Sequence, residues 1–364
     1  MTKNSREQSP PVWQAVISKY NKPTLSRSIW QMINSIGPYL ILWAVSVYLI
    51  QFSYWLALPF IILAAGFLVR IFIIFHDCGH GSFFRSKKLN RMVGIACGIL
   101  AFTPYDKWTD SHRNHHQTVG NLDKRGDGDV WTLTVEEYQN SSKKRKFFYR
   151  LFRHPIFLIG FAGPLLFLIY SRFTRRTMTK KQKQNIYFTN IVLFLLAAGM
   201  SLLIGWQTFL LIQLPIMSIA AIVGLYLFYF QHQFEDVTWS RNEDWDYKNM
   251  AIEGSSFFKL PALLRWFTGN IGFHHVHHLG PKIPNYNLVK CHNENPMFHD
   301  VKPFTLLKSL HSLKLRLWDE KNGQILTFGE LKRRQTQMSG ITIPVKDNPS
   351  GFKKVRSKRI KVTE

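Results

Sequence analysis

Ten of the fourteen histidines in this 364-residue chain fall into three tight clusters and one singleton. Imidazole is the side chain that most often both titrates near neutrality and binds transition metals. The first cluster, His76-Asp77-Cys78-Gly79-His80, holds an i, i+4 pair that puts two rings on one helical face. The second, His112-Arg113-Asn114-His115-His116, gathers three rings on one side at i, i+3 and i+4. The third, His274-His275-Val276-His277-His278, repeats that triplet through His274, His277 and His278. His275 breaks the facing of its neighbours and is expected to hydrogen-bond rather than ligate, whereas His232 ends an apolar run beside the clusters and is a further ligand candidate. Nine such nitrogens exceed what one metal needs and suffice for two with positions left for oxygen. Imidazole suits iron, copper, nickel or zinc, and a single structural zinc would take only about four ligands. Carboxylates near enough in sequence to orient the rings are Asp77, Asp110, Glu235 and Asp236, with Asp77 the best placed.

The elements that must carry these rings are membrane helices. Ile36 to Phe75 contains Arg70 as its only formal charge, and a single helix of that length, at about 1.5 Å per residue, would be twice the hydrocarbon thickness. A hairpin turning at Gln51-Phe52-Ser53-Tyr54 follows, with spans at about 36–54 and 55–75. Ile186 to Phe230 has no Asp, Glu, Lys or Arg and gives a second hairpin, about 186–204 and 209–230, turning at Gly205-Trp206-Gln207-Thr208. Stretches 92–105 and 155–170 are shorter than a bilayer crossing and read as interfacial or re-entrant. The expected fold is thus an all-α integral membrane protein, four helices in two hairpins with a helical cap over a dinuclear metal site. Its organisation is an arm at 1–30, a membrane domain at 31–330 and a basic polar tail at 331–364.

Charge sets the orientation. From Lys143 to Lys183 there are twelve Lys or Arg and no acid, while neither hairpin turn is charged, so the basic connectors, both termini and all the histidines belong on the cytoplasmic side. The formal charge of +25 accompanies no nucleic-acid motif and clusters beside apolar segments, which favours an anionic membrane surface as neighbour. Cys78, Cys97 and Cys291 do not form a paired framework, as expected in a reducing compartment. The polar start MTKNSREQSPPVWQ lacks a secretory-signal pattern, leaving insertion to internal segments. Ser255 to Asn270, rich in Phe, Leu and Trp, reads as an amphipathic interfacial element.

With these residues in place, HDCGH, HRNHH and HHVHH resemble the three histidine boxes of membrane fatty acid desaturases and related hydroxylases. The likeness covers about residues 30–330. Within it, Arg70 to Asp77, Asn121 to Gly126 and Gly269 to Phe273 are similar to bacterial phospholipid Δ5 desaturases. The resemblance implies two irons held by the three boxes, with His232 matching a further ligand near the end of the fourth helix. It also implies dioxygen as co-substrate and acyl chains of membrane phospholipids as substrate. Where the acyl-CoA branch of the family has a water-holding asparagine, this chain has Phe228, so Gln231 or Asn270 would have to substitute. Lacking a CxxC cluster, a dinucleotide-binding glycine turn or an HPGG haem motif, the chain needs an external electron donor. A small acidic carrier such as ferredoxin or flavodoxin suits the basic face. The rival readings are a membrane hydroxylase built from the same boxes and a histidine-rich metal transporter, though a transporter would place its ligands within the spans.

Overall fold

The computed structural model describes residues 12–126 and 129–338. Among the described residues, four helices are long and apolar enough to cross a membrane: α1 Leu25–Leu49, α2 Tyr54–His80, α6 Lys180–Ile204 and α7 Trp206–His232. Between α2 and α6 lie α3 Lys87–Leu100, α4 Tyr105–Thr118 and α5 Lys143–Phe152. Helical residues 156–172 continue from α5 with a bend of 62°. Beyond α7 come α8 Ala262–Phe267, α9 His274–Leu279 and α10 Asn285–Glu294.

The hairpins form where the sequence supplies their signals. Ser53 caps α2, its hydroxyl accepting from the Trp55 N–H, and the short 50–53 connection reverses the chain. Gly205, at φ 85°, interrupts α6 and α7 without any longer turn, a conformation that a side chain would strain. At the other end of α2, Gly81 adopts φ 67° and closes the helix just after His80.

Several boundaries differ from the sequence expectation, α6 starting at Lys180 rather than 186 and α7 running from Trp206 to His232 rather than 209 to 230. The first crossing begins at Leu25 rather than 36, because Ser28 and Gln31 turn inward against the cap: Ser28 Oγ donates to the Phe83 carbonyl at 2.7 Å and Gln31 Nε2 to Asn285 Oδ1 at 3.2 Å. The second crossing runs on through the first histidine cluster to His80. A helix, Phe328–Met338, covers the first residues of the expected tail, and the Lys353 to Lys361 cluster lies outside the described residues.

Two small sheets fasten the cap. β1 Leu133–Thr134 pairs in parallel with β4 Leu317–Asp319, which is antiparallel to β5 Gln324–Leu326. β2 Phe257–Phe258 pairs in parallel with β3 Pro303–Phe304. Arg153, fully buried, ties this layer to the membrane helices through Trp131 O, Thr132 Oγ1, Gln233 Oε1 and Leu315 O, all at 2.9–3.0 Å. Because Gln233 follows His232 directly, this fastener also fixes the end of α7. Removing Arg153 would leave the Trp131 carbonyl and Gln233 Oε1 without this donor, while Thr132 Oγ1 and the Leu315 carbonyl keep other partners.

Candidate metal centre

Two groups of histidines lie side by side at the ends of α2 and α7. His76, His80, His112, His116 and His277 form a group of five; His115, His232, His274 and His278 form a group of four, with the potential ligand atoms of each group within 4.8 Å of one another. Helical periodicity explains the division. At about 100° per residue, positions i and i+4 lie close on the surface, whereas i+3 and i+4 diverge by a full residue step. So His112 and His116 share one group while His115 reaches the other, and His274 and His278 share the second group while His277 reaches the first. The groups touch where His116 and His278 stack, ring centroids 4.0 Å apart.

The ring nitrogens are set for a cation. His115 Nδ1 lies 2.7 Å from Asp129 Oδ1, and His232 Nδ1 lies 3.1 Å from the Gly254 carbonyl oxygen. Each acceptor holds the proton on Nδ1, so each Nε2 presents a lone pair. Those two Nε2 atoms are 3.0 Å apart, and His232 Nε2 is also 2.9 Å from His274 Nε2, which is 3.0 Å from His278 Nε2. One nitrogen cannot donate to and accept from all of these neighbours, and facing lone pairs repel unless a positive centre lies among them. With metal–nitrogen bonds of about 2.0–2.1 Å, adjacent nitrogens at right angles would be about 2.9 Å apart, which is the spacing observed. The group of five has His277 Nε2 3.0 Å and His112 Nε2 3.2 Å from His116 Nε2. Its His76 Nε2 and His80 Nε2 are buried without any hydrogen-bond partner. A metal fits both groups.

Burial, and then the neighbouring imidazoles, push His112, His116, His274, His277 and His278 well below the usual imidazole range. The rings are therefore neutral at physiological pH, the form that ligates.

The candidate orienting groups divide sharply. Asp77 Oδ1 lies 3.1 Å from His76 Nδ1, while its Oδ2 accepts from the Asn285 N–H at 2.7 Å and Asn285 Nδ2 at 2.8 Å. Asp110 instead binds Arg113 and Gln182, and Glu235 and Asp236 are exposed, Asp236 beside Lys302. The expectation that these three orient imidazoles is corrected: the chain turns away after Gln233, and Asp110 lies on the outer side of α4. Asp129, which does orient a ring, stands in a loop fourteen residues beyond His115, with no helical spacing to signal it. His275 belongs to neither group and pairs with His292 Nδ1 at 3.0 Å, burial lowering its pKa to about 3. Asn270 donates to the Asn285 carbonyl and Gln231 to the Ile271 carbonyl, so both amides are committed to backbone.

An apolar cavity of about 540 Å³ leads to the histidines, between α2, α4, the bent 156–172 segment and α7. Leu68, Phe72, Phe167 and Met217 line it, with Trp108 and Phe228 at its histidine wall. Trp108 stacks on His112 at 4.3 Å, and Phe228 lies 5.3 Å from His115 and 5.4 Å from His232, ring centroid to centroid. Phe228 thus closes the cavity against the group of four.

Comparison with known proteins agrees with this geometry. A family model described as fatty acid desaturase matches residues 53–303. A fatty acid desaturase of Bacillus subtilis (strain 168) is 47% identical over 317 residues, covering 87% of this chain and 90% of that one. An sn-1 acyl-lipid omega-3 desaturase (ferredoxin) of Nostoc sp. (strain 36) is 29% identical over 288 residues, 76% of this chain and 77% of that one. The corresponding Synechocystis protein is 28% identical over 290 residues, 74% and 75% of the two chains.

Proposed function

From the premise that the chain belongs to the fatty acid desaturase family, an oxidoreductase family, we propose that it desaturates acyl chains of membrane phospholipids with two histidine-held irons, dioxygen and electrons from an external carrier. The observation that carries this reading is the placement of nine imidazoles, seven buried and two half-buried, in two metal-sized groups against the end of an apolar cavity. His76, His80, His112, His116 and His277 would hold one iron, and His115, His232, His274 and His278 the other. Bound there, iron would supply the oxidising power that removing hydrogen from unactivated methylenes demands. The overall balance is one dioxygen, two electrons and two protons consumed with the two hydrogens lost from the chain, yielding a double bond and two waters.

The protein's own residues have three tasks. The cavity excludes water and holds an extended chain in one register. Trp108 and Phe228 fix the distance between that chain and the histidines. Asp77, Asp129 and the Gly254 carbonyl lock ring orientation, so the site is rigid before substrate arrives.

The proposal extends to the Δ5 position, supported by the three sequence runs named above. It extends also to a ferredoxin or flavodoxin donor, supported by the exposed basic segments Lys143–Arg145 and Arg175–Lys181 and by the donor printed in the names of the cyanobacterial relatives. The histidine ends of the spans then face the cytoplasm of a cell expressing the protein in its plasma membrane. Expression in a desaturase-deficient host, with double bonds located by mass spectrometry of extracted lipids, tests the reading. Phospholipid unsaturated at Δ5 is expected; an omega-3 double bond would correct the position, and hydroxylated lipid without a new double bond would overturn desaturation.

A further inference from the structure

On the face of α2 turned away from the acyl cavity lies a second pocket, of about 360 Å³. Among the described residues, three arginines line it, Arg27, Arg70 and Arg265, and no acidic residue does. At about 100° per residue, Arg70 lies about 150° around α2 from the mean direction of the cavity-lining Leu68, Val69 and Phe72. The two pockets share no residue.

Arg70 is 93% buried, with 7% of its surface exposed, inside a membrane-crossing helix. A guanidinium there is costly unless it is compensated. Its protein partners are neutral: the Trp266 carbonyl, Asn34 Oδ1 at 3.5 Å, and the Trp266 ring 3.9 Å beneath it. Its Nε is buried with no hydrogen-bond partner. Arg27 likewise binds only neutral groups, Asn287 Oδ1 and the Tyr286 carbonyl, and stands over the Tyr286 ring. Of a guanidinium's five donors, most at this pocket remain available. Three cations converging on polar space without an acid define a site for an anion.

The rim says which anion. Trp30 is 64% exposed, Leu263 68% and Leu264 42%, so the arginines open onto an apolar surface continuous with the lipid-facing sides of α1 and α8. Tryptophans flanking arginines are the arrangement that suits the headgroup level of a bilayer. We infer that this pocket binds the phosphate of a membrane phospholipid whose acyl chains lie on that surface, at a site separate from the acyl cavity. The pocket also contains Asn285, the residue that donates twice to Asp77. Asp77 follows Arg70 by seven residues, on nearly the same face of α2. A bound headgroup would thereby stiffen the network that orients His76.

The test uses full-length, metal-loaded protein in nanodiscs of digalactosyldiacylglycerol, which carries no phosphate. Phosphatidylglycerol is titrated in, and its retention is read by native mass spectrometry. One tightly retained phosphatidylglycerol per chain is expected, with affinity falling about tenfold in Arg27→Gln and again in Arg265→Gln. Both side chains are at least partly exposed, so these variants fold whether or not Arg70→Gln does. Unchanged retention in both variants would overturn the site. Equal binding of inorganic phosphate, or its displacement of the lipid at millimolar concentration, would overturn the lipid assignment in favour of a free anion.

Discussion

The two histidine groups are neighbours built in different ways. Four of the five rings in the larger group come as i, i+4 pairs from α2 and α4, helices long enough to be rigid on their own. The smaller group takes single rings from α4 and α7 and a pair from α9, a helix of only six residues. Its orienting groups are a loop carboxylate, Asp129, and a backbone carbonyl, Gly254. The larger group is therefore a property of secondary structure and the smaller a property of the assembled cap. The smaller group also has fewer protein ligands; its four rings are all buried behind Phe228, whereas His80 and His112 of the larger group are half-buried.

The largest expected effects test that division. His112→Ala and His232→Ala should each abolish new double bonds while the protein still inserts. Their metal contents should differ. With about one iron per group in the parent protein, His112→Ala keeps four nitrogens in its group and retains most metal, whereas His232→Ala leaves three and loses about one iron per chain. Equal metal loss by elemental analysis would break the comparison. Full activity in either variant would remove that residue from the ligands.

The orienting carboxylates come next. Asp77 is buried and accepts twice from Asn285, so Asp77→Ala leaves buried donors unsatisfied at about 1–3 kcal/mol each. Its thermal midpoint in detergent should fall along with activity. Asp129→Asn should lower activity by about 10–100-fold with the midpoint nearly unchanged, because Asp129 holds one ring from a loop. A matching fall in midpoint for both would mean that the smaller group is as integral to the fold as the larger.

This contrast also explains what could be read from the sequence. The i, i+4 spacing of His76/His80, His112/His116 and His274/His278 is a local consequence of helix geometry, and the charge-free runs are a local consequence of the bilayer. The four spans, the clustered histidines and the pairing of Asp77 with His76 were legible for that reason. Partners that meet only through tertiary folding were not. Asp129, His292 and the Gly254 carbonyl lie fourteen, seventeen and twenty-two residues from the rings they contact. Asp110, Glu235 and Asp236 show the converse, being near in sequence to the histidines and yet turned away, Asp110 and Asp236 to other partners and Glu235 to the exposed surface. The start of α1 at Leu25 was hidden because inward polar residues, Ser28 and Gln31, end the apolar pattern before the helix ends.

Phe228 sharpens the comparison at the cavity. If it closes the smaller group against the acyl chain, Phe228→Leu should leave iron content unchanged and lower kcat/KM by about tenfold, or 1.4 kcal/mol of positioning. Loss of iron would show instead that its ring serves chiefly to pack His115 and His232.

The smallest effect separates the third cluster's four histidines. His275 is as buried as its neighbours but faces away from both groups, toward His292. His275→Gln should therefore leave iron content and activity per iron intact and cost about 1 kcal/mol of stability, the worth of one hydrogen bond. His292→Gln should do the same, and the double variant should cost less than the sum, since both singles remove one shared contact. Additive losses would show that the two rings act independently. Loss of iron in His275→Gln would place that ring among the ligands and undo the assignment of the smaller group to four.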